Sequence, residues 1–381
     1  MLKIGVLGGG NGAFITAADL ALRGFDVNIC EVPEFEKNIS LAKENKGIKL
    51  EVKGNPGLKG GFAKLNKVTT DIKEAIEDRE VIFLIVPAFA QKRFAEWGAK
   101  YFSPEHIIVL EPGNFGGSIE FANILKAKGK KTLPTLVESE CMIYSGFKND
   151  SGSVWVSGYK EGMKISTYPG KLTDKAVEVI KLIYPKMEKT QNILETGLSN
   201  INTVVHAPIL ALNAGWAEQP GVKVQFYWQG CTEAVGRVVE NVEEERLEIG
   251  RALGVNLNYS RDTLIKWYGH QGASGNNVAE VLRTNPAFEW DYAPTTMRHR
   301  FFMEDIPYGM IPMEDVGKLL GVATPTITAI IEIGSLLANV NFRGKARSFE
   351  QLGLKGLSKE ELLEKIYTGG EDEKLFSGGI F

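Results

Sequence analysis

The chain has 381 residues, enough for two domains that each bury a core of their own. A hydrophobic fraction of 44% and a charged fraction of 24% are those of a soluble globular protein, and a net charge of −3 disfavours nucleic acid or an anionic membrane as partner. The three cysteines, Cys30, Cys141 and Cys231, suit neither a disulfide framework nor a zinc site, so no metal is expected. No apolar run is long enough to cross a bilayer, and the first strand begins at residue 2 or 3, leaving no room for a targeting peptide. A cytoplasmic location is expected.

Chain order begins with a short apolar strand, Lys3-Ile4-Gly5-Val6-Leu7, then Gly8-Gly9-Gly10-Asn11-Gly12-Ala13, a helix to Arg23, and a second strand, Asp26 to Glu31. Gly8, Gly10 and Ala13 occupy the positions of the dinucleotide fingerprint G-x-G-x-x-G/A. Gly8 permits the tight turn, Gly10 lets the backbone approach a pyrophosphate, and Ala13 lets the helix pack closely on the strand. The phosphates would rest on the N–H groups that open the helix, at Asn11, Gly12 and Ala13. A strand before the motif, a helix after it and an acid nearly twenty residues on supply the context that a bare glycine motif lacks. Glu31 suits a ribose 2′-OH and repels a 2′-phosphate, and Val32-Pro33-Glu34 bring no arginine to receive one. NAD(H) is therefore favoured over NADP(H), with Lys37 the residue able to reverse that preference.

A polar helix is expected over Glu34–Lys46, strands at Ile48–Val52 and Ala63–Val68, and a short helix at Asp71–Asp78. Val81–Val86 is a continuous apolar run, typical of a parallel strand covered on both faces. It ends in the non-helical break Pro87–Ala90 at the carboxyl edge, where open α/β sheets bind ligands. A helix over Gln91–Tyr101, a strand over His106–Leu110 and the loop Glu111–Gly117 follow, which completes the pattern of a doubly wound Rossmann domain. Leu136–Glu138, Val154–Ser157 and Lys164–Ser166 are expected to extend the same sheet, followed by a helix at Thr173–Tyr184 and a closing strand or link at Gln191–Glu195. From Asn200 the strand signal nearly disappears. Helices fit Ile201–Ala217, Trp228–Leu253 with a charged outer face at Glu240–Arg246, Asp262–Tyr268, Asn276–Arg283, Pro312–Leu320, Pro325–Leu337 and Lys359–Ile366. The fold class is thus α/β, a doubly wound Rossmann domain over residues 1–189 joined to an all-helical substrate domain over 190–368. Residues 369–381 have little patterning and read as a mobile tail. A cleft between two such domains is a common ligand site.

If the cofactor is a nicotinamide, the chemistry needs a proton donor and an anchor for a substrate carboxylate. Four histidines are present. His106 opens a core strand and reads as structural, His270 lies in a glycine-rich loop, and His299 adjoins two arginines. His206 stands in Asn202-Thr203-Val204-Val205-His206-Ala207-Pro208, a polar residue on a mostly apolar helix; taken alone, a histidine there is more often a satisfied core or helix-end residue than a general acid. Arg300 has the forked geometry that grips a carboxylate, and Asp305, just before Pro307 in Glu304-Asp305-Ile306-Pro307, could orient an imidazole. The bland alternative is a solvated charge cluster over a helix end.

These segments together resemble the opine dehydrogenases, the octopine and nopaline dehydrogenase family with its helical C-terminal domain. The resemblance runs almost the whole length: Gly8–Ala13, Val86-Pro87-Ala88-Phe89, Pro112-Gly113-Asn114-Phe115-Gly116-Gly117, Asn202–Pro208, Trp267-Tyr268-Gly269, Glu304–Pro312 and Leu319-Leu320-Gly321-Val322. The histidine segment and Glu304–Pro312 are the most specific. The resemblance implies a reductive condensation, in which an amino acid's amine joins a 2-oxo acid such as pyruvate and NAD(P)H reduces the imine. It implies His206 as general acid/base, Asp305 as its partner, Arg300 as a carboxylate anchor, and Asn114 on the substrate side. The nicotinamide end is expected to project from Gly8–Ala13 past Pro87 and Asn114 toward His206. The partners implied are small molecules, an amino acid and a 2-oxo acid, with a homodimer left open.

Glu138-Ser139-Glu140-Cys141-Met142-Ile143-Tyr144 matches the relatives' Glu-Thr-x-x-Leu-Pro-Tyr only loosely, so the roles of Glu140 and Cys141 stay open. The alternatives are a simple 2-oxo or 2-hydroxy acid dehydrogenase of the ketopantoate reductase or glycerol-3-phosphate dehydrogenase type, and a non-catalytic NAD-binding redox sensor. The former relatives use a lysine at the catalytic helix, where this chain offers His206.

Overall fold

The computed structural model describes residues 2–376. Two compact units emerge among them, one of residues 2–113, Gly117–Ile193 and residues 364–376, the other of Asn114–Gly116 and Leu194–Leu363.

The first unit holds two sheets. Its strands are β1 (Lys3–Leu7), β2 (Asp26–Cys30), β3 (Gly47–Val52), β4 (Gly61–Lys64), β5 (Lys67–Thr69) and β6 (Val81–Leu84). They continue with β7 (Ile107–Leu110), β8 (Thr135–Ser139), β9 (Tyr144–Lys148), β10 (Ser153–Tyr159), β11 (Lys164–Tyr168) and β12 (Glu188–Lys189). Eight form one sheet in the order β12-β11-β8-β7-β6-β1-β2-β5, all parallel except at β11–β8. The central strands β1, β6 and β7 are buried through most of their length, as their apolar runs require. The remaining four form a second sheet, β4-β3-β10-β9. Helix α1 (Asn11–Leu22) packs against strands of both sheets, which is why Ala13–Leu20 are buried without a polar face.

Several expected elements take different forms. Ala63–Val68 is not one strand: Ala63 belongs to β4 and Val68 to β5, in different sheets. Val154–Ser157 lies in β10 of the second sheet and does not extend the first. Pro87–Ala90 is no break, because Pro87, with φ −56° and ψ 148°, is the N-cap of a helix spanning Ala88–Gly98. The polar stretch after Glu31 forms a 3-10 turn, Pro33–Ile39, kinked at Phe35, then a short helix, Ser40–Asn45. Gln191–Glu195 runs into a helix, Ile193–Leu198.

The second unit is helical. The helix Asn202–Leu212 packs on Glu233–Leu253 and Pro325–Ala338. Glu233–Leu253 starts where the Thr232 hydroxyl accepts from the Val235 N–H and stops at Gly254, whose φ of 88° suits a left-handed cap. Its middle is not a solvated face. Glu243, Glu245 and Arg246 are buried: Arg246 donates to the Leu198 and Asn258 carbonyls, and Glu245 accepts from the Thr326 and Ile327 N–H groups that open Pro325–Ala338. Charge there satisfies helix ends inside the unit.

The chain's end differs from a patternless tail. Gly370–Phe376 is a 3-10 helix of the first unit, where the Leu133 N–H donates to the Leu375 carbonyl, Lys126 pairs with Asp372, and Phe376 meets Tyr168 edge-on. Residues 377–381 of the expected mobile tail lie outside the described residues. Among the described residues no helix is long and apolar enough to cross a membrane.

Candidate active site

In the first unit, the glycine turn joins β1 to α1 at the carboxyl edge of the parallel sheet. Gly8 has φ +124°, and a Cβ there would come within 2.4 Å of the Ile85 carbonyl oxygen, so only glycine fits. A Cβ at exposed Gly10 would meet nothing within 4 Å, which leaves open space above the turn. Gly10 is the N-cap of α1 with no side-chain cap, so the leading N–H groups at Asn11, Gly12 and Ala13 are left to an external acceptor. Ala13 is fully buried, and a Cβ on Gly12 would press on Ile85 and on the Met142 sulfur at about 3 Å. Pro87 follows β6, the parallel neighbour of β1, at the same edge.

Glu31 directly follows β2, beside this turn. Its carboxylate is buried, accepting from the Val32 N–H at 2.8 Å and from the Asn38 amide at 3.3 Å. It lies so close to the turn that a Cβ on Gly9 would sit 2.6 Å from Oε2. These features fit a dinucleotide: an open cradle, an uncapped helix start and a carboxylate at the strand end. Lys37 is exposed, whereas Arg93, distant in sequence, pairs with Glu34 across the next turn.

Lys148, at the end of β9, is a member of this region that sequence reasoning missed. Its backbone N–H donates to Asn11 Oδ1 at 3.1 Å, and its ammonium donates to the Gly9 carbonyl at 2.9 Å and to the Asn38 carbonyl at 2.5 Å. The ammonium also stands 3.7 Å from the centre of the Phe14 ring. Burial pushes it down to about 8, against the opposing pull of Glu31 and Asp150.

In the second unit, His206 lies in the middle of the helix Asn202–Leu212 and is 3% exposed. Asp305 reaches it through an unusual backbone. The residues Ile306–Met310 form a π-turn running straight into the helix Ile311–Leu320. Gly309 of that turn packs so tightly on the helix of His206 that a Cβ there would sit 2.3 Å from the Thr203 hydroxyl. Thr203 is one turn before His206, and the close approach delivers Asp305 Oδ2 to 2.8 Å from His206 Nδ1. The imidazole is stacked on Phe301 with ring centres 4.1 Å apart. Its other nitrogen, Nε2, is 2.7 Å from the Tyr227 hydroxyl. Burial pushes the Asp305 carboxyl up to about 7, and Arg300 pulls it back. Tyr227 is the second residue missed; the aromatic run Phe226-Tyr227-Trp228 was its only signal.

Arg300 is exposed, and its guanidinium makes no hydrogen bond or ion pair with any described residue. Its guanidinium carbon stands 5.7 Å from the centre of the Phe301 ring that stacks on His206. Asn114 has φ +54° and is buried, with both ends of its amide engaged: Nδ2 donates to Glu304 Oε1 and Oδ1 accepts from Asn200. The π-turn, His206 and Arg300 therefore stand together, and Asn114 braces Glu304, the neighbour of Asp305.

The other candidates have local roles. His106 accepts the Ser103 N–H, and burial pushes it down to about 4. His299 caps the short helix Arg300–Met303, and burial, then Arg300 and His206, push it to about 4. His270 is exposed on a 3-10 turn. Cys141 is a buried thiol outside any disulfide, and buried Glu140 accepts the Lys164 N–H.

Residues 189–338 match the family model described as NAD/NADP octopine/nopaline dehydrogenase, alpha-helical domain. The chain is 32% identical to the opine dehydrogenase of Arthrobacter sp. (strain 1C), over 93% of this chain and 95% of that one. It is 27% identical to the vitopine synthase of Allorhizobium ampelinum, over 96% and 99% respectively. Octopine dehydrogenase solved with NADH and agmatine superposes with a TM-score of 0.77 at 21% identity, covering 97% of this chain and 98% of that one, and shares the fold. On the Arthrobacter identity, this chain belongs to the opine dehydrogenase family, NAD(P)-dependent oxidoreductases acting on CH–NH groups.

Proposed function

We propose that this chain joins the amine of an amino acid to a 2-oxo acid such as pyruvate and reduces the product to a secondary amine dicarboxylate. The observation that carries the reading is the buried Asp305–His206 pair beside an exposed Arg300 that lacks an anionic partner. A family relative, octopine dehydrogenase, was solved with NADH and L-arginine and with NADH and pyruvate, a substrate pair of this kind.

With Asp305 ionised, Nδ1 keeps its proton and Nε2 is the basic nitrogen. Condensation loses water, so a proton must reach the carbinolamine oxygen, and His206 supplies it at near-neutral pH. Arg300 grips the 2-oxo acid carboxylate through its forked N–H groups. When bound, the nicotinamide dinucleotide supplies the hydride that reduces the C=N bond.

In the first unit, Gly8, Gly10, Asn11, Gly12 and Ala13 hold the pyrophosphate and Glu31 accepts the ribose 2′-OH, with Pro87 at the rim. Lys148 adds a positive charge over the same turn. NAD(H) is preferred over NADP(H), because the Glu31 carboxylate is fixed against the turn and the nearby Arg93 is already paired with Glu34. Three buried cysteines outside any disulfide suit the reducing cytoplasm.

The test is a screen of amino acids against 2-oxo acids, following NADH absorbance and identifying products by mass. A secondary amine whose mass equals amine plus oxo acid, less one oxygen atom, supports the reading. NADH binding without turnover in any pair contradicts it.

A further inference from the structure

His206 has both ring nitrogens engaged, and the partner at Nε2 is the one the known chemistry leaves unexplained. Asp305 holds Nδ1 at 2.8 Å, and the Phe301 ring covers one face at 4.1 Å between centres. Those two contacts already fix the imidazole's position and tilt. The Tyr227 hydroxyl, 2.7 Å from Nε2, is not needed for orientation, yet it occupies the nitrogen through which a proton must pass.

Tyr227 is itself firmly placed. Its ring stacks on Phe288 with centres 4.4 Å apart and meets Phe226 edge-on at 4.9 Å. The segment is pinned by the Phe226 N–H, which donates to the Asp291 carbonyl at 2.7 Å, and by the bridge between Gln225 and Tyr292. A tyrosine held this way is aimed at one atom.

We propose that Tyr227 is the outer member of an Asp305–His206–Tyr227 proton relay, and that its hydroxyl is the group that exchanges a proton with the reacting substrate. The inference rests on the condensation reading above. In the dehydration step the Tyr227 O–H bond breaks and its proton goes to the carbinolamine oxygen. The C–O bond breaks, water leaves, and the nitrogen lone pair forms the C=N bond. The tyrosine oxygen takes the Nε2 proton of the His206 imidazolium, whose positive charge thereby passes to the iminium. Tyrosine is neutral before and after, and nothing is oxidised or reduced. Burial, reinforced by Asp291 and opposed by Arg300, lifts the hydroxyl well above the ordinary phenol range, so it stays protonated and able to donate. The other charged groups facing it are Asp305 and, if ionised, Tyr268.

The test is Tyr227→Phe in the full chain, which removes one oxygen and keeps the stack on Phe288 and the edge contact with Phe226. The relay predicts a single-turnover rate of NADH oxidation lowered roughly 100-fold or more, with KM for both substrates within about threefold and thermal stability unchanged. A rate within about threefold of wild type overturns the relay, as does a loss confined to KM. If Tyr227→Phe fails to fold, 3-fluorotyrosine placed at 227, a more acidic donor of the same shape, decides: the relay predicts a single-turnover rate changed by more than about threefold with KM unmoved, and an unchanged rate overturns it. Wild-type protein inactive with every amine and oxo acid pair would overturn the condensation reading and the relay with it. Active wild type with an equally active Tyr227→Phe overturns the relay alone.

Discussion

Asp305 Oδ2 lies 2.8 Å from His206 Nδ1, although 99 residues separate them and neither side chain is more than 6% exposed. The contact decides which imidazole nitrogen is basic, so it has a direct kinetic consequence. Asp305→Asn keeps the shape but removes the charge that holds the Nδ1 proton. We expect kcat to fall roughly 10²- to 10⁴-fold with little change in KM. The pH profile carries the sign. Burial raises the Asp305 carboxyl to about 7, so the ionised form appears only as pH rises through that value. Wild-type kcat should therefore climb with pH through about 7, and the climb should be absent from the Asp305→Asn profile.

Arg300 predicts a different signature. Its guanidinium is exposed and unpaired among the described residues, so a substrate carboxylate meets a ready donor pair. Arg300→Met should raise KM for the 2-oxo acid roughly 10- to 100-fold, the equivalent of losing about 1.5–3 kcal/mol of charge-assisted hydrogen bonding. Arg300→Lys should recover only part of this, since a point charge lacks the fork. Steady-state kinetics with the amine saturating measures both.

Lys148 places a positive charge over the glycine turn, and burial lowers that ammonium to about 8. Lys148→Met keeps the aliphatic stem and removes the charge, and should weaken NADH binding about 10-fold in a fluorescence titration. In wild type the affinity should decline as pH rises through about 8, where the ammonium loses its proton. In Lys148→Met that decline should be missing.

The second unit holds a charge cluster with a purely structural consequence. Burial of Glu314, which acts to raise its carboxyl, is outweighed by hydrogen bonds from Arg343, Lys318 and Thr328, and the carboxyl falls to about 2. A carboxyl depressed in the folded state stabilises at pH above its ordinary range near 4.5, and that contribution is lost as pH falls through about 2. Arg343→Met should cost about 1–2 kcal/mol at neutral pH, a figure held low because Arg343 is 39% exposed and Lys318 and Thr328 remain. Denaturant titrations should show the gap between variant and wild type closing between about pH 4.5 and 2.

What was legible in the sequence follows from how local each signal is. Gly8, Gly10, Ala13 and Glu31 lie within one strand–turn–helix–strand unit, and their spacing alone brings them together. Val81–Val86 reads as a central strand because both its faces must be apolar. The second sheet was not legible, since β10 pairs with β3 about a hundred residues earlier and no pattern in either strand names its partner. Lys148 was hidden for the same reason, as the last residue of a strand with no alternating pattern. Glu243, Glu245 and Arg246 look like a solvated face because most of their partners, the Leu198 and Asn258 carbonyls and the Ser260, Thr326 and Ile327 N–H groups, come from outside their own helix. Tyr227 carried no chemical motif, and only the fold aims its hydroxyl at His206.

The most direct measurement of the central claim is NADH oxidation with the 2-oxo acid alone, the amine alone, and both together. The account predicts oxidation only with both present, a product containing both skeletons, and almost none of it from His206→Ala. Oxidation with the 2-oxo acid alone, giving the 2-hydroxy acid at a comparable rate, would contradict it.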